Sequence, residues 1–376
     1  MAVHAQPSPR GIRFAGLEPA WRQVMSVTHA WRELAARLGV EHPIIQAPMA
    51  GVTTPELVAA VSNAGGLGSI GAPYMKPADI VQFARRVREL TDRPYQINLF
   101  APQPPPAQAD PGRMLAELAR YHQELGLEPP KPPTSPFPPF EEQVDAVVES
   151  GAPIFSFTLG IPPPAALERL RSRGVVILGT ATNVREAKLL EAAGVDAVVA
   201  QGSEAGGHRG TFAEPFEAGM VGTMALVPQV ADAVRLPVIA SGGIMDGRGI
   251  AAARVLGASG VQLGTAFLTC PESGATAAYK AAIREARDDS TVITRALSGR
   301  PARGLANTLS ESFREEGALL PFPLQHTATG ALRSAAAARG DPRFMTLWSG
   351  QAAALSRGLP AAELVRQLIA ESERLG

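Results

Sequence analysis

The chain has 376 residues, 45% of them hydrophobic and 19% charged, with 35 basic residues against 35 acidic ones. That length allows a sizeable core, and zero net charge removes any electrostatic case for nucleic acid or an anionic membrane as partner. The single cysteine, Cys270, excludes an internal disulfide and a Cys-based metal site and suits a reducing, cytoplasmic setting, and no apolar run approaches the roughly 18 residues that span a bilayer.

Residues 1–24 are rich in Pro, Gly and Arg and lack the apolar stretch of a signal peptide. They read as part of a disordered tail over 1–29, with Met25 as a candidate start. A strand is expected over Ile44–Met49. Thr54-Pro55-Glu56 then starts a helix, with Thr as N-cap and Pro at the first helical position. A strand over 67–71, a helix over about 77–91 and a strand over Tyr95–Phe100 follow. Residues 101–140 break the rhythm with many prolines and read as an insertion or lid, with a helix at 113–125. The alternation resumes with strand 154–160, helix 163–173, strand 175–181 and helix 183–193. Asn183 caps that last helix, with Glu186 three residues on. Strand 196–201, helix 222–234, strand 237–241, helix 247–257 and strand 260–268 complete the pattern. Eight strands alternating with helices predict a parallel (β/α)₈ TIM barrel over 30–270. An open doubly wound sheet is the competing solution. Residues 271–376 read as a helical extension packed on the barrel.

Gly66-Leu67-Gly68-Ser69-Ile70-Gly71 matches G-x-G-x-x-G in form only. A dinucleotide fingerprint needs a strand before it and a helix after it, and here the order is reversed. The better reading is a helix stop running into a tightly packed barrel strand.

Barrel chemistry sits at the C-terminal ends of the strands. Strand 1 ends there in Ala47-Pro48-Met49, strand 3 carries Asn98, and strand 6 runs from Gln201 through Gly206-Gly207-His208-Arg209-Gly210. Strand 7 ends in Ser241-Gly242-Gly243, and strand 8 carries Gln262-Leu263-Gly264-Thr265. The last two ends are the usual phosphate site of this fold. Small residues there let backbone N–H groups approach an anion. Asn98 and Gln201 taken singly read as satisfied core amides. As a pair facing a phosphate site, they read as contacts to the polar edge of a flavin. His208, on a Gly-rich loop, is the candidate for moving a proton near neutral pH. The other five of the six histidines, His326 in the extension among them, sit in no comparable setting. Glu204 is open to three readings: a base, a partner for Arg209, or a helix cap. No second His or carboxylate stands at metal-ligand spacing, so no metal is expected.

Several segments resemble the nitronate monooxygenases, formerly called 2-nitropropane dioxygenases. They are Gln46–Leu57 with Val61–Gly68, Gln201–Gly210, Ser241–Gly249 and Gln262–Thr265. Gly299–Arg303 with Asn307 and Leu347–Gln351 add to them. The likeness spans about residues 30–370. It implies FMN, no metal, and oxidation of alkyl nitronates by O₂, with propionate 3-nitronate as the expected substrate. It implies FMN contacts from Ala47, Pro48, Met49, Asn98, Gln201, Gly206, Ser241, Gly242, Gly243, Gln262, Leu263, Gly264 and Thr265. His208 would be the base toward neutral nitroalkanes, or would orient a bound nitronate, and Tyr279 would reach the substrate mouth. Phe322 stands where tyrosine is expected and Ser241 where alanine is common. The expected assembly is a monomer or homodimer. Two rival readings remain. A flavin-dependent enoyl-ACP reductase would share the barrel, FMN and the His loop, though the insertion and the extension favour the nitronate enzymes. A barrel that binds FMN or another phosphate ligand without turnover is the other.

Overall fold

The computed structural model describes residues 27–105, 109–313 and 318–375. The Met25 start and the tail through residue 26 lie outside that range. Helix α1 (Val27–Leu38) begins inside the expected tail, because its Leu34 and Leu38 are buried and plug the barrel floor.

Eight parallel strands form the barrel: β1 (Ile44–Gln46), β2 (Gly68–Gly71), β3 (Tyr95–Phe100), β4 (Ile154–Thr158), β5 (Val176–Ala181), β6 (Ala197–Gln201), β8 (Val238–Ser241) and β9 (Gly260–Leu263). Their order is β1-β9-β8-β6-β5-β4-β3-β2, and a parallel bridge between Ile45 and Leu67 brings β1 back to β2. The last strand is shorter than the expected 260–268. Gly264 turns the chain into the short helix α10 (Thr265–Leu268), whose Phe267 N–H donates back to the Gly264 carbonyl.

Helices α2 (Pro55–Asn63), α3 (Pro77–Leu90), α6 (Pro164–Arg171), α7 (Val184–Ala192), α8 (Thr223–Ala233) and α9 (Gly247–Val255) follow the strands. The Thr54 hydroxyl accepts from Leu57 N and Asn183 Oδ1 from Glu186 N, as helix N-caps do. Glu186 does not close a capping box; its carboxylate accepts from Thr182 and from the N–H groups of Phe212 and Ala213.

The insertion carries α4 (Gly112–Glu124), and α5 (Phe140–Ser150) starts at its end. Met114, Leu118 and Tyr121 of α4 share an apolar cluster with Leu297, Leu305, Leu332 and Phe344. The insertion is therefore packed on the C-terminal extension. That extension is mostly helical, from α11 (Ala277–Arg284) through α12 (Thr308–Ser312), α13 (Leu324–Ala328) and α14 (Gly330–Arg339) to α15 (Ala361–Glu373). It also holds β10 (Thr291–Thr294) and β11 (Ala302–Leu305), two strands that the helical reading did not include. With the two-residue β7 (Gly207–His208) they form an antiparallel sheet outside the barrel, in which His208 faces Ala302.

Alternation along each strand sorts the interior into layers. Toward the floor, Ile45, Leu67, Ile154, Leu178, Val199 and Ile239 close on α1. Two residues further along the same strands, the inward positions become Ser69, Ser156, Thr180, Gln201 and Ser241. Gln96, Asn98 and Gln262 share their parity by register. The barrel is apolar at one end and amide- and hydroxyl-lined at the other.

Candidate active site

The loop after β6 is held from several sides. Gln201 Nε2 donates to the His208 carbonyl at 3.1 Å and its Oε1 accepts from Gly210 N at 2.8 Å. One N–H and one lone pair of this amide thus brace the loop. The Arg209 guanidinium is buried and donates to the carbonyls of Gly202, Gln201 and Gly219. Arg303 Nε reaches the Ser203 carbonyl at 2.9 Å, and Arg300 reaches those of Arg209 and Thr211. Glu204 accepts from the N–H and hydroxyl of Thr223, at the first turn of α8, so the helix cap is the reading seen.

The result is a fixed imidazole. His208 Nε2 lies 2.9 Å from Oγ of the buried Ser298, and that hydroxyl has the Arg300 carbonyl at 3.2 Å as an acceptor for its own proton. The ring meets Phe100 at 5.8 Å, Phe322 at 5.5 Å and Trp348 at 5.6 Å between centroids. Burial first, then the positive field of Arg300 and Arg333, pushes the imidazole down to about 3, so it is neutral at pH 7.

The wall continues beyond the residues expected from sequence. Tyr74 is stacked between His326 (4.5 Å) and Phe137 (5.3 Å), and Phe100 lies edge-on to it at 5.8 Å. Phe137 comes from the insertion, Tyr74 from the segment after β2, and His326 from the extension. Sequence reasoning missed all three, together with Ser298 and Phe100. Phe100 was within reach, since it ends a barrel strand, where barrel chemistry sits. Phe322, noted only as a departure from tyrosine, packs against His208. Tyr279 is buried and its hydroxyl donates to the carbonyl of Trp348, the residue whose ring meets His208.

The expected cofactor residues fall at the polar end. Ala47 and Met49 face Gly264 closely enough that a Cβ there would lie 3.6 Å from Ala47 Cβ and 4.0 Å from Met49 Sδ. Leu263 is buried toward the helices, so only its backbone faces the ligand side; its carbonyl accepts from Ala47 N. Gly242 (φ 118°) and Gly243 (φ 72°) adopt backbone that side chains rarely take, which turns the chain sharply at the end of β8. Gly206 packs on Ser349 and Gly350, and Thr265 Oγ1 accepts from Gly350 N at 2.9 Å, so this hydroxyl also serves the Leu347–Gln351 segment. Asn98 Nδ2 donates to Ser156 Oγ at 3.0 Å, and Gln262 Nε2 lies 3.4 Å from Ser241 Oγ. Below Asn98, Gln96 Oε1 is buried with no partner among the described residues. A flavin mononucleotide fits this set. The glycine turns at Gly242–Gly243 and Gly264 would leave backbone free to approach a phosphate, and the buried Gln96 Oε1 is an orphaned acceptor in the amide layer.

Comparison with known proteins agrees with this geometry. The family model described as nitronate monooxygenase matches residues 32–371. A "probable nitronate monooxygenase" of Staphylococcus saprophyticus is 45% identical over 344 residues, covering 90% of this chain and 96% of that protein. The solved nitroalkane oxidase of Streptomyces ansochromogenes superposes with a TM-score of 0.83 at 41% identity, covering 90% of this chain and 98% of that one. FabK of Thermotoga maritima gives 0.72 at 31% identity, covering 91% and 96%. Matched over nearly its whole length by model, sequence and fold, the chain belongs to the nitronate monooxygenase family of flavin-dependent oxidoreductases.

Proposed function

We propose that this protein uses FMN and O₂ to oxidise alkyl nitronates, propionate 3-nitronate first among them, and so removes a toxic metabolite. The observation that carries the reading is a neutral His208, fixed by Ser298 and enclosed by aromatic rings, at the polar end of the barrel. The bound flavin would supply the redox chemistry, taking electrons from the carbanion-like nitronate and passing them to O₂. Asn98, Gln262 and the backbone of Ser241–Gly243 and Gly264–Thr265 would hold it. With the Ser298 proton on the Arg300 carbonyl, His208 Nε2–H donates to Ser298 and Nδ1 keeps its lone pair. Nδ1 is then the atom that accepts a proton from a neutral nitroalkane. A base held so far down is weak, so the arrangement favours a substrate that arrives already deprotonated. Phe100, Phe322 and Trp348 keep water from the reacting carbon. A lone thiol fits a cytoplasmic setting, and a monomer or homodimer remains the proposed assembly.

The likeness to FabK supports a second reading, a flavin-dependent enoyl-ACP reductase. Anaerobic mixing of the yellow protein with propionate 3-nitronate, and separately with NADH and NADPH, decides between them. Bleaching of the flavin by the nitronate with little response to either nicotinamide is expected. Rapid bleaching by NADH or NADPH alone would transfer the chain to the reductases.

A further inference from the structure

Three parts of the molecule meet at the segment Leu347–Gln351. On the side of the extension, the Leu347 carbonyl accepts from Leu305 N of β11 at 2.9 Å, and Trp348 forms an antiparallel bridge with Gly304. The Tyr279 hydroxyl of α11 donates to the Trp348 carbonyl. On the side of the His208 loop, Gln351 N donates to the Glu204 carbonyl at 3.0 Å. A Cβ at Gly206 would lie 2.6 Å from the Ser349 carbonyl carbon, so the segment lies directly on that loop. At the barrel mouth, Gly350 N donates to Thr265 Oγ1 at 2.9 Å. The indole of Trp348, carried between these attachments, stands 5.6 Å from the His208 ring.

The Thr265 hydroxyl is half used. A hydroxyl has one proton to give and two lone pairs. One lone pair takes the Gly350 N–H, and no acceptor among the described residues takes the proton, although the side chain is only 7% exposed. A buried donor left unspent points to an acceptor supplied by a ligand. Space for one lies next to it: a Cβ built on Gly264 would meet nothing nearer than Ala47 Cβ at 3.6 Å. A hydroxyl that donates to an anion also becomes a stronger acceptor at its own oxygen, because the two hydrogen bonds polarise one another.

We propose that Thr265 is a positioning residue: when its hydroxyl donates to a phosphate monoester at the Gly264 turn, its oxygen tightens on Gly350 N–H and seats Trp348 against His208. The inference rests on the FMN reading above. The phosphate turn and the wall around the imidazole then act as one unit, although the wall comes from the far end of the chain. A flavin ring without its phosphate would leave that wall loose.

Three forms of the full chain test this: with FMN, with riboflavin, and with riboflavin plus inorganic phosphate. The first readout is hydrogen exchange of the Leu347–Gln351 amides, followed by mass spectrometry. The second is kcat/KM for propionate 3-nitronate. Exchange should be about 3- to 10-fold slower with FMN than with riboflavin, the net worth of one hydrogen bond in a local opening. Inorganic phosphate should return that protection, and part of kcat/KM, to the riboflavin form. Thr265→Val keeps the shape and deletes the hydroxyl; at saturating flavin it should stay yellow and lose the response to phosphate. Thr265→Ser should restore it. Equal exchange in the FMN and riboflavin forms of the parent would overturn the coupling, a comparison that stands even if Thr265→Val fails to fold. A phosphate response that survives in Thr265→Val would remove the hydroxyl from this role. A protein that takes up no flavin, yet is protected by inorganic phosphate through Thr265, would keep the coupling and remove the FMN reading. A yellow protein with no phosphate response would do the reverse.

Discussion

The two ends of the barrel are built on opposite principles. At the floor, Leu34 and Leu38 of α1 seal a layer of Ile, Leu and Val. At the mouth, amides and hydroxyls occupy the equivalent inward positions, with Arg209 and Arg303 buried and His208 and His326 half-buried around them. Only the floor is in its best state without a ligand. The contrast separates residues that hold the fold from residues that are held by it.

Substitutions at each end should therefore fail differently. The largest effect is expected at the mouth. His208→Asn should retain FMN and the melting temperature of the parent while turnover of neutral nitroethane falls about 10²- to 10⁴-fold, the usual size of a general-base contribution. Steady-state oxygen uptake checks this, and undiminished nitroethane turnover would remove the imidazole from that role. At the floor, Leu34→Ala should cost about 2–5 kcal/mol of stability, as other buried Leu→Ala changes do, with activity per folded molecule intact. A urea titration followed by assays below the transition tests it. Loss of activity without loss of stability would break the division between the ends.

The smallest effect concerns acid. His208 and His326 both have folded-state values near 3 against an ordinary 6.5, so the unfolded chain binds more protons between those limits. Their contribution to stability is complete above pH 6.5 and is lost as the pH falls toward 3, on the order of 2 kcal/mol for each at pH 5. His326→Phe should narrow the gap between urea midpoints measured at pH 8 and pH 5. An equal gap in parent and variant would show that His326 is not part of the acid response.

Much of the barrel could be read from the chain because its signals are local. Thr54 and Asn183 announce their helices, and glycine and proline punctuate the strands. Ser241–Gly243 and Gln262–Thr265 could be placed at the mouth for the same reason. The chamber wall was a different matter. Tyr74, Phe137, Ser298 and His326 meet only after the insertion and the extension have folded over the barrel, and no periodicity relates them. β7 is two residues long, too short to show alternation, so the pairing that fixes His208 left no trace in the sequence. Gln201 was chosen for its chemistry and position, and the structure shows its amide also bracing the loop through one N–H and one lone pair. Nothing in the sequence said which polar group would be satisfied first.

The pairing of Gly207 and His208 with Ala302 and Arg303 also orders events in time. All eight barrel strands leave the ribosome before residue 264, while β11 follows some forty residues later and Trp348 later still. A growing chain has all its barrel strands before it has the partners that hold its imidazole still. The imidazole is thus fixed late, and α15, whose Leu364 and Leu368 pack into the barrel's own core, comes later still, so a chain cut short after the barrel strands lacks both its fixed imidazole and part of the packing around the cylinder.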